Sequence, residues 1–202
     1  MRHLYLAVHS PGDASALGIV RLSSGTFSQF AQACINHNAS LNMAKEQTSV
    51  TPAIRVFREQ SMAFALRPYK YEERGGTEVA SRELGVDEHG VIKTLIMEDE
   101  RKNPLIILMH GDREVSTKEL ARILRVKTVQ PCDPATANRH TGYVVGGTSP
   151  FGTRKHLPVY IEKTILDIPR IIINAGKKGL LAEIATADLL RVLKPTPVNV
   201  AR

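Results

Sequence analysis

Residues 91–110 read Val91-Ile92-Lys93-Thr94-Leu95-Ile96-Met97, then Glu98-Asp99-Glu100-Arg101-Lys102-Asn103, then Pro104-Leu105-Ile106-Ile107-Leu108-Met109-His110. Two apolar runs of strand length flank a charged loop short enough for a hairpin. Side chains alternate along a strand, so Val91, Lys93, Leu95 and Met97 share one face and Ile92, Thr94 and Ile96 the other. Both faces are apolar, which predicts a central strand covered on both sides. An antiparallel hairpin at the centre of a sheet points away from strict βαβ alternation.

The flanking sequence supplies helices and further strands. Thr51-Pro52 is an N-cap followed by proline at the first helical position, with Ile54 and Phe57 at helical spacing. Phe64 to Tyr71 reads as extended. Thr77 is expected to cap a short helix ending at Gly85. Ser116-Thr117-Lys118-Glu119 is a capping box, placing Leu120, Ile123 and Leu124 on an inner face. Val126 to Val129 reads as a short strand, and Asp133-Pro134 opens another helix. Arg170 to Asn174 and Leu180 to Ile184 read as strands joined by the turn Gly176 to Gly179. Thr186 is expected to cap a last helix, Ala187 to Leu193, stopped by Pro195. Residues 196–202 are expected to be a frayed C-terminal tail. The sum is an α+β domain with a largely antiparallel or mixed sheet.

Composition bounds the function. The chain has 202 residues, 43% hydrophobic and 23% charged, which excludes wholesale disorder. No run approaches the ~18–20 apolar residues of a membrane span, and no secretory signal is visible. The two cysteines, Cys34 and Cys132, cannot form a disulfide framework, which favours a reduced, cytoplasmic setting. A net charge of +7 suits a phosphate-rich partner. Residues 1–42 hold only three charged residues, Arg2, Asp13 and Arg21, and precede the start-like Met43. They are expected to be a disordered arm or translated sequence upstream of the true start.

Three features could carry chemistry. Lys93 points where only apolar neighbours are expected, so its ammonium either snorkels to water or meets an anionic ligand. Gly146-Gly147-Thr148-Ser149-Pro150-Phe151-Gly152 combines three glycines and a proline. Such a loop can bring its backbone close to a ligand and free N–H groups for an anion or a carbonyl oxygen, or it is a plain tight turn. Gly176-Lys177-Lys178-Gly179 is a turn bearing two cations, either solvated or a phosphate contact. No metal-ligand spacing and no nucleophile elbow is present, and Cys132 reads as a buried structural thiol.

Thr51-Pro52-Ala53, Lys93-Thr94-Leu95, Asp133-Pro134, Thr141 through Gly152, and Gly176-Lys177-Lys178-Gly179-Leu180 together resemble the YbaK family, in its order and spacing from about Thr51 to Leu193. Its members are small aminoacyl-tRNA deacylases related to the editing insertion of bacterial prolyl-tRNA synthetases. The resemblance implies a YbaK-like domain over residues 43–195, with a mixed, mostly antiparallel, barrel-like sheet and flanking helices. It implies a trans-acting deacylase that removes wrongly attached amino acids from tRNA, cysteine or alanine on proline tRNA being the commonest cases. No cofactor or metal is implied. The partners are the acceptor end of aminoacyl-tRNA and, as a candidate, prolyl-tRNA synthetase; no membrane is involved. Lys93 corresponds to the family's key lysine, and Gly146 and Gly147 to the loop lining the same pocket. Tyr69, Thr94, Thr148, Ser149, Pro150, Gly176, Lys177 and Lys178 are the candidate substrate-binding residues. Some cysteinyl-tRNA-specific members carry an acidic residue where this chain has Leu181. The alternative reading is a non-catalytic tRNA- or nucleotide-binding module associated with a synthetase.

Overall fold

A computed structural model describes residues 50–202; the arm expected over residues 1–42 lies outside them. Helix α1 (Pro52–Glu59) starts as its cap predicts, with the Thr51 hydroxyl oxygen accepting the Ile54 N–H at 3.2 Å. Then follow β1 (Phe64–Pro68), α2 (Gly76–Leu84), β2 (Val91–Asp99) and β3 (Pro104–His110). The second half contains α3 (Thr117–Leu124), β4 (Val129–Pro131), α4 (Pro134–Thr141) and β5 (Val159–Glu162). It ends with β6 (Arg170–Lys177), β7 (Leu180–Ala185), α5 (Thr186–Leu193) and β8 (Thr196–Val198). Among the described residues no helix is long and apolar enough to cross a membrane.

The strands form one sheet in the order β1-β7-β6-β2-β3-β5-β8, with β4 also on β2. The β1/β7, β2/β3, β2/β4 and β6/β7 pairs are antiparallel, and β2/β6, β3/β5 and β5/β8 are parallel. The expected α+β fold with a mixed, mostly antiparallel sheet is thus the fold observed. The central hairpin runs from Ile92 opposite His110 to Glu98 opposite Pro104.

As expected, β2 is covered on both faces. Ile92 and Ile96 enter the main core with Ile106, Leu108, Ile171 and Ile173, beneath Ile54 and Phe57 of α1 and Phe151. The Phe57 and Phe151 rings meet edge to face at 4.9 Å. On the opposite face Met97 packs with Leu105, Ile107 and Met109 under Leu120 and Ala121 of α3. Farther along that face Val91, Ile172 and Leu181 pack with Ala80 of α2. Each fully buried aliphatic side chain contributes about 1.5–3 kcal/mol, so burial of both faces fixes the register of β2.

Five local expectations are corrected. Thr77 does not cap α2; its hydroxyl donates to the Glu88 carboxylate at 2.8 Å, and Gly75 precedes the helix without a side-chain cap. Ile123 is 39% exposed, and the inner face of α3 is Leu120 and Ala121 with Leu124, as expected, packed against the same cluster. The short strand expected at 126–129 lies at β4, because Lys127 and Thr128 are spent reaching the Glu100 carboxylate with their N–H groups. Thr186 spends its hydroxyl on the Ile168 carbonyl instead of capping α5. The C-terminal tail does not fray. β8 pairs with β5, Val198 and Val200 are buried, and Glu162 accepts the N–H groups of Val200 and Ala201 at 2.7 and 2.8 Å.

Candidate functional site

Lys93 stands in the middle of β2, half-buried. The cluster of Val91, Ile172 and Leu181 lies on one side along its face, and that of Met97, Ile107 and Met109 on the other. It joins none of the ion pairs found among the described residues. The ammonium is accommodated because the chain opens an approximately 300 Å³ cleft there, which Lys93 lines with Leu95, Met97, Arg113 and Arg202.

The neighbouring strand connects Lys93 to the Gly-rich loop. β2 and β6 run parallel, with Val91 opposite Ile172 and Ile92 opposite Ile173. The next residues in that register are Lys93 and Asn174. Asn174 donates its side-chain amide to the Gly146 carbonyl at 3.1 Å and accepts the Gly176 N–H at 2.7 Å. One amide therefore ties the Gly-rich loop to the basic turn, one residue past the last pair of β2 and β6. Asn174 was not singled out by sequence reasoning. The only available signal was a polar side chain at the end of the otherwise apolar run Ile171-Ile172-Ile173.

The loop and the turn are in direct contact. A Cβ on Gly147 would come within 2.9 Å of the Lys178 nitrogen, and one on Gly146 within 2.6 Å of the Tyr71 hydroxyl. Gly146 also holds φ +84°, a conformation that favours glycine. Lys178 sits 4.9 Å over the Tyr71 ring and 3.4 Å from the Glu73 carboxylate. Tyr69 joins the same corner by donating its N–H to Gly179 at 3.0 Å. Burial, and next the neighbouring Tyr71, push the Tyr69 hydroxyl pKa above its ordinary value. Tyr71, Glu73 and Asn174 are the members of this corner that the sequence reading missed.

The structure brings together Tyr69, Gly146, Gly147, Gly176, Lys177 and Lys178. Other candidates lie differently. Thr94 faces the opposite side of the sheet from Lys93, and its hydroxyl is buried without a partner among the described residues. Ser149 and Pro150 are buried, Ser149 accepting the Phe151 N–H at 3.4 Å, so they shape the loop from within. Thr148 donates its hydroxyl back to Val144 at 3.2 Å. The expectation of freely available loop N–H groups is also narrowed, since Gly147 spends its own on Val144 at 2.9 Å. The Gly146 N–H makes no hydrogen bond among the described residues. Burial and the Glu98 carboxylate push the Cys132 thiol up to about 11, which fits a structural thiol and not a nucleophile.

Residues 72–192 match the family described as "Aminoacyl-tRNA editing domain". The chain belongs to this family. The resemblance to YbaK proteins and to the prolyl-tRNA synthetase editing insertion is therefore borne out, and the substrate class that the family implies is aminoacyl-tRNA. This editing domain is 28% identical over 150 residues to an Enterococcus faecalis protein named "Putative Cys-tRNA(Pro)/Cys-tRNA(Cys) deacylase EbsC"; the match covers 73% of this chain and 92% of that protein. It is 30% identical over 88 residues to a Thermodesulfovibrio yellowstonii proline–tRNA ligase, covering 44% of this chain and 14% of the ligase. Among solved structures, the crystal structure of hypothetical protein APE2540 shares the fold with a TM-score of 0.68 at 18% identity, covering 75% of this chain and 99% of that one.

Proposed function

We propose that this editing domain is a trans-acting aminoacyl-tRNA deacylase that clears wrongly attached amino acids from tRNA, with cysteine or alanine on proline tRNA as the leading substrates. The observation that carries the reading is the Asn174 amide, which gathers the Gly-rich loop and the two-lysine turn at the end of the strand that pairs with the start of β2, while Lys93 of β2 has no ion-pair partner among the described residues. An aminoacyl ester is already activated, so the site needs to orient it and stabilise charge rather than supply a nucleophile. The Lys93 ammonium holds the anionic end of the tRNA beside the ester. The Gly146 N–H faces the developing oxyanion. Lys177 and Lys178 take backbone phosphate, and Tyr69 walls the pocket.

In hydrolysis, the oxygen of a held water bonds to the ester carbon. The bond from that carbon to the ribose oxygen then breaks, and that oxygen takes up a proton from the attacking water to become the free hydroxyl. With cysteine attached, its own thiol sulfur can make that attack, its proton passing to the departing ribose oxygen as the ring closes; attack by the tRNA's free 2′-hydroxyl would only shift the ester to the neighbouring ribose oxygen, so release by that route still ends with water. The relative named for Cys-tRNA(Pro) and Cys-tRNA(Cys) supports cysteine as the first substrate to try. The cytoplasm, where tRNA is charged, is the proposed setting, with prolyl-tRNA synthetase as the proposed partner.

The test is incubation with a panel of mischarged tRNAs, following the ester bond. Release of amino acid from at least one mischarged tRNA, with correctly charged Pro-tRNA spared, is the expected result. Binding that protects every ester would instead establish a non-catalytic module.

A further inference from the structure

The cleft that Lys93 lines contains no residue of the Gly-rich loop or the basic turn, and its other walls are residues that the deacylase reading has not used. Its floor is apolar, from Leu95 and Met97 of β2, and its volume is about 300 Å³, at the low end of the ~300–1,000 Å³ usual for ligand sites. Its rim carries Arg113 and Arg202, with Thr117 at the start of α3. One carboxylate, Glu114, also lines it and is paired with Arg202 at 2.6 Å. Arg113 is 3.7 Å from Asp112, which does not line the cleft. Both arginine side chains are more than half exposed. The rim is held in place by backbone pairing, since Glu114 and Arg202 exchange N–H and carbonyl groups at 3.2 and 3.0 Å.

An apolar floor under a cationic rim matches one nucleotide, with its base on the floor and its phosphate at the arginines. Lys93 lines this cleft, and none of the residues of the corner proposed for the ester does. We propose that the cleft binds a nucleotide of the tRNA's unpaired 3′ end, immediately before the one carrying the amino acid, with Arg113 and Arg202 on its phosphate. This rests on the deacylase reading for the choice of RNA and adds to it a second subsite. Glu114 opposes the phosphate and competes for Arg202.

The experiment measures binding, so it does not depend on turnover. The probes are an uncharged RNA hairpin ending in single-stranded CCA and the same hairpin with a blunt end, titrated at several salt concentrations. Wild type is expected to prefer the CCA end by about tenfold. The Arg113→Ala/Arg202→Ala double variant is expected to lose that preference, with a logarithmic salt slope shallower by about 0.7, the value of one single-strand phosphate contact. Glu114→Gln frees Arg202 and is expected to bind the CCA end more tightly, a gain that misfolding cannot mimic. Equal binding of both hairpins by wild type, or an unchanged preference and slope in the double variant, overturns the cleft assignment even if wild type clears mischarged tRNA. The expected preference and slope change in a protein that clears no ester would uphold the cleft and overturn the deacylase reading.

Discussion

Asn174 holds the Gly146 carbonyl at 3.1 Å while its own oxygen holds the Gly176 N–H at 2.7 Å. The second bond is local, spanning two residues within the turn, and the first is not. The first joins segments 28 residues apart, and because β6 runs parallel to β2, Asn174 follows the last β6 residue of that pairing as Lys93 follows the last β2 residue. The geometry of the site is therefore a product of sheet order.

Replacing Asn174 by Asp keeps the oxygen that accepts from Gly176 and removes the donor to Gly146. Deacylation is expected to fall by about ten- to a hundredfold in kcat, the scale of a misplaced site, with melting temperature nearly unchanged because the bond is exposed. Steady-state kinetics beside thermal melts check this. A full-rate Asn174→Asp enzyme would show that the tether does not position the loop.

Gly146→Ala brings a methyl group against the Tyr71 hydroxyl at a backbone angle that disfavours side chains. It is expected to slow turnover strongly, and Tyr71→Phe in the same chain to recover part of the loss by removing the nearest atom. A double-mutant cycle measures the coupling. Strictly additive losses would mean that Tyr71 and the loop do not meet.

The C-terminal strand was illegible because Pro195 and Pro197 read as stops. Pro197 is nonetheless compatible with β8, which lies at the end of the strand order and, among the described residues, pairs only with β5. The hairpin at 91–110, by contrast, was legible from alternation alone, and Lys93 from the conflict between its charge and its apolar strand. Asn174 was not, since its role requires knowing that β6 lies beside β2. Thr77 and Thr186 misled for a related reason: a hydroxyl near a helix start can serve a distant carboxylate or carbonyl equally well.

Deleting residues 196–202 removes buried Val198 and Val200 and leaves the buried Glu162 carboxylate without its two N–H donors. The loss of stability is expected to be about 3–5 kcal/mol, read from urea denaturation of the truncated and full chains. An unchanged midpoint would restore the frayed-tail reading.

His110 is fully buried, between the His89 carbonyl at 2.7 Å and the Thr164 hydroxyl at 2.8 Å. Burial chiefly, with the stacked His89 ring adding to it, pushes its pKa below the ordinary 6.5, outweighing the hydrogen bond to the His89 carbonyl and the nearby Asp112 and Glu162. Below about pH 6.5 the unfolded chain binds a proton that the folded one resists, so stability falls as pH drops from there toward the folded-state pKa. His140, pushed down in the same direction mainly by burial, adds to the slope. Urea midpoints are expected to decline between about pH 7 and about pH 5, before the carboxylates titrate, and His110→Gln to flatten the decline. A midpoint that rises over this interval would contradict the burial argument.

Lys93 carries the central claim, and single-turnover clearance of a mischarged tRNA by Lys93→Ala tests it most directly. Removing a half-buried ammonium that has no ion-pair partner among the described residues is not expected to cost the free protein stability, so its melting temperature is expected to hold or rise slightly. The rate is expected to fall by about a hundredfold or more, the scale of losing one group that stabilises the transition state. Lys93→Arg is expected to recover little of it, because a planar fork does not replace a compact ammonium. A folded Lys93→Ala protein that clears, at a near-normal rate, the same substrate as wild type would contradict the account and leave Lys93 as a side chain that merely reaches for water.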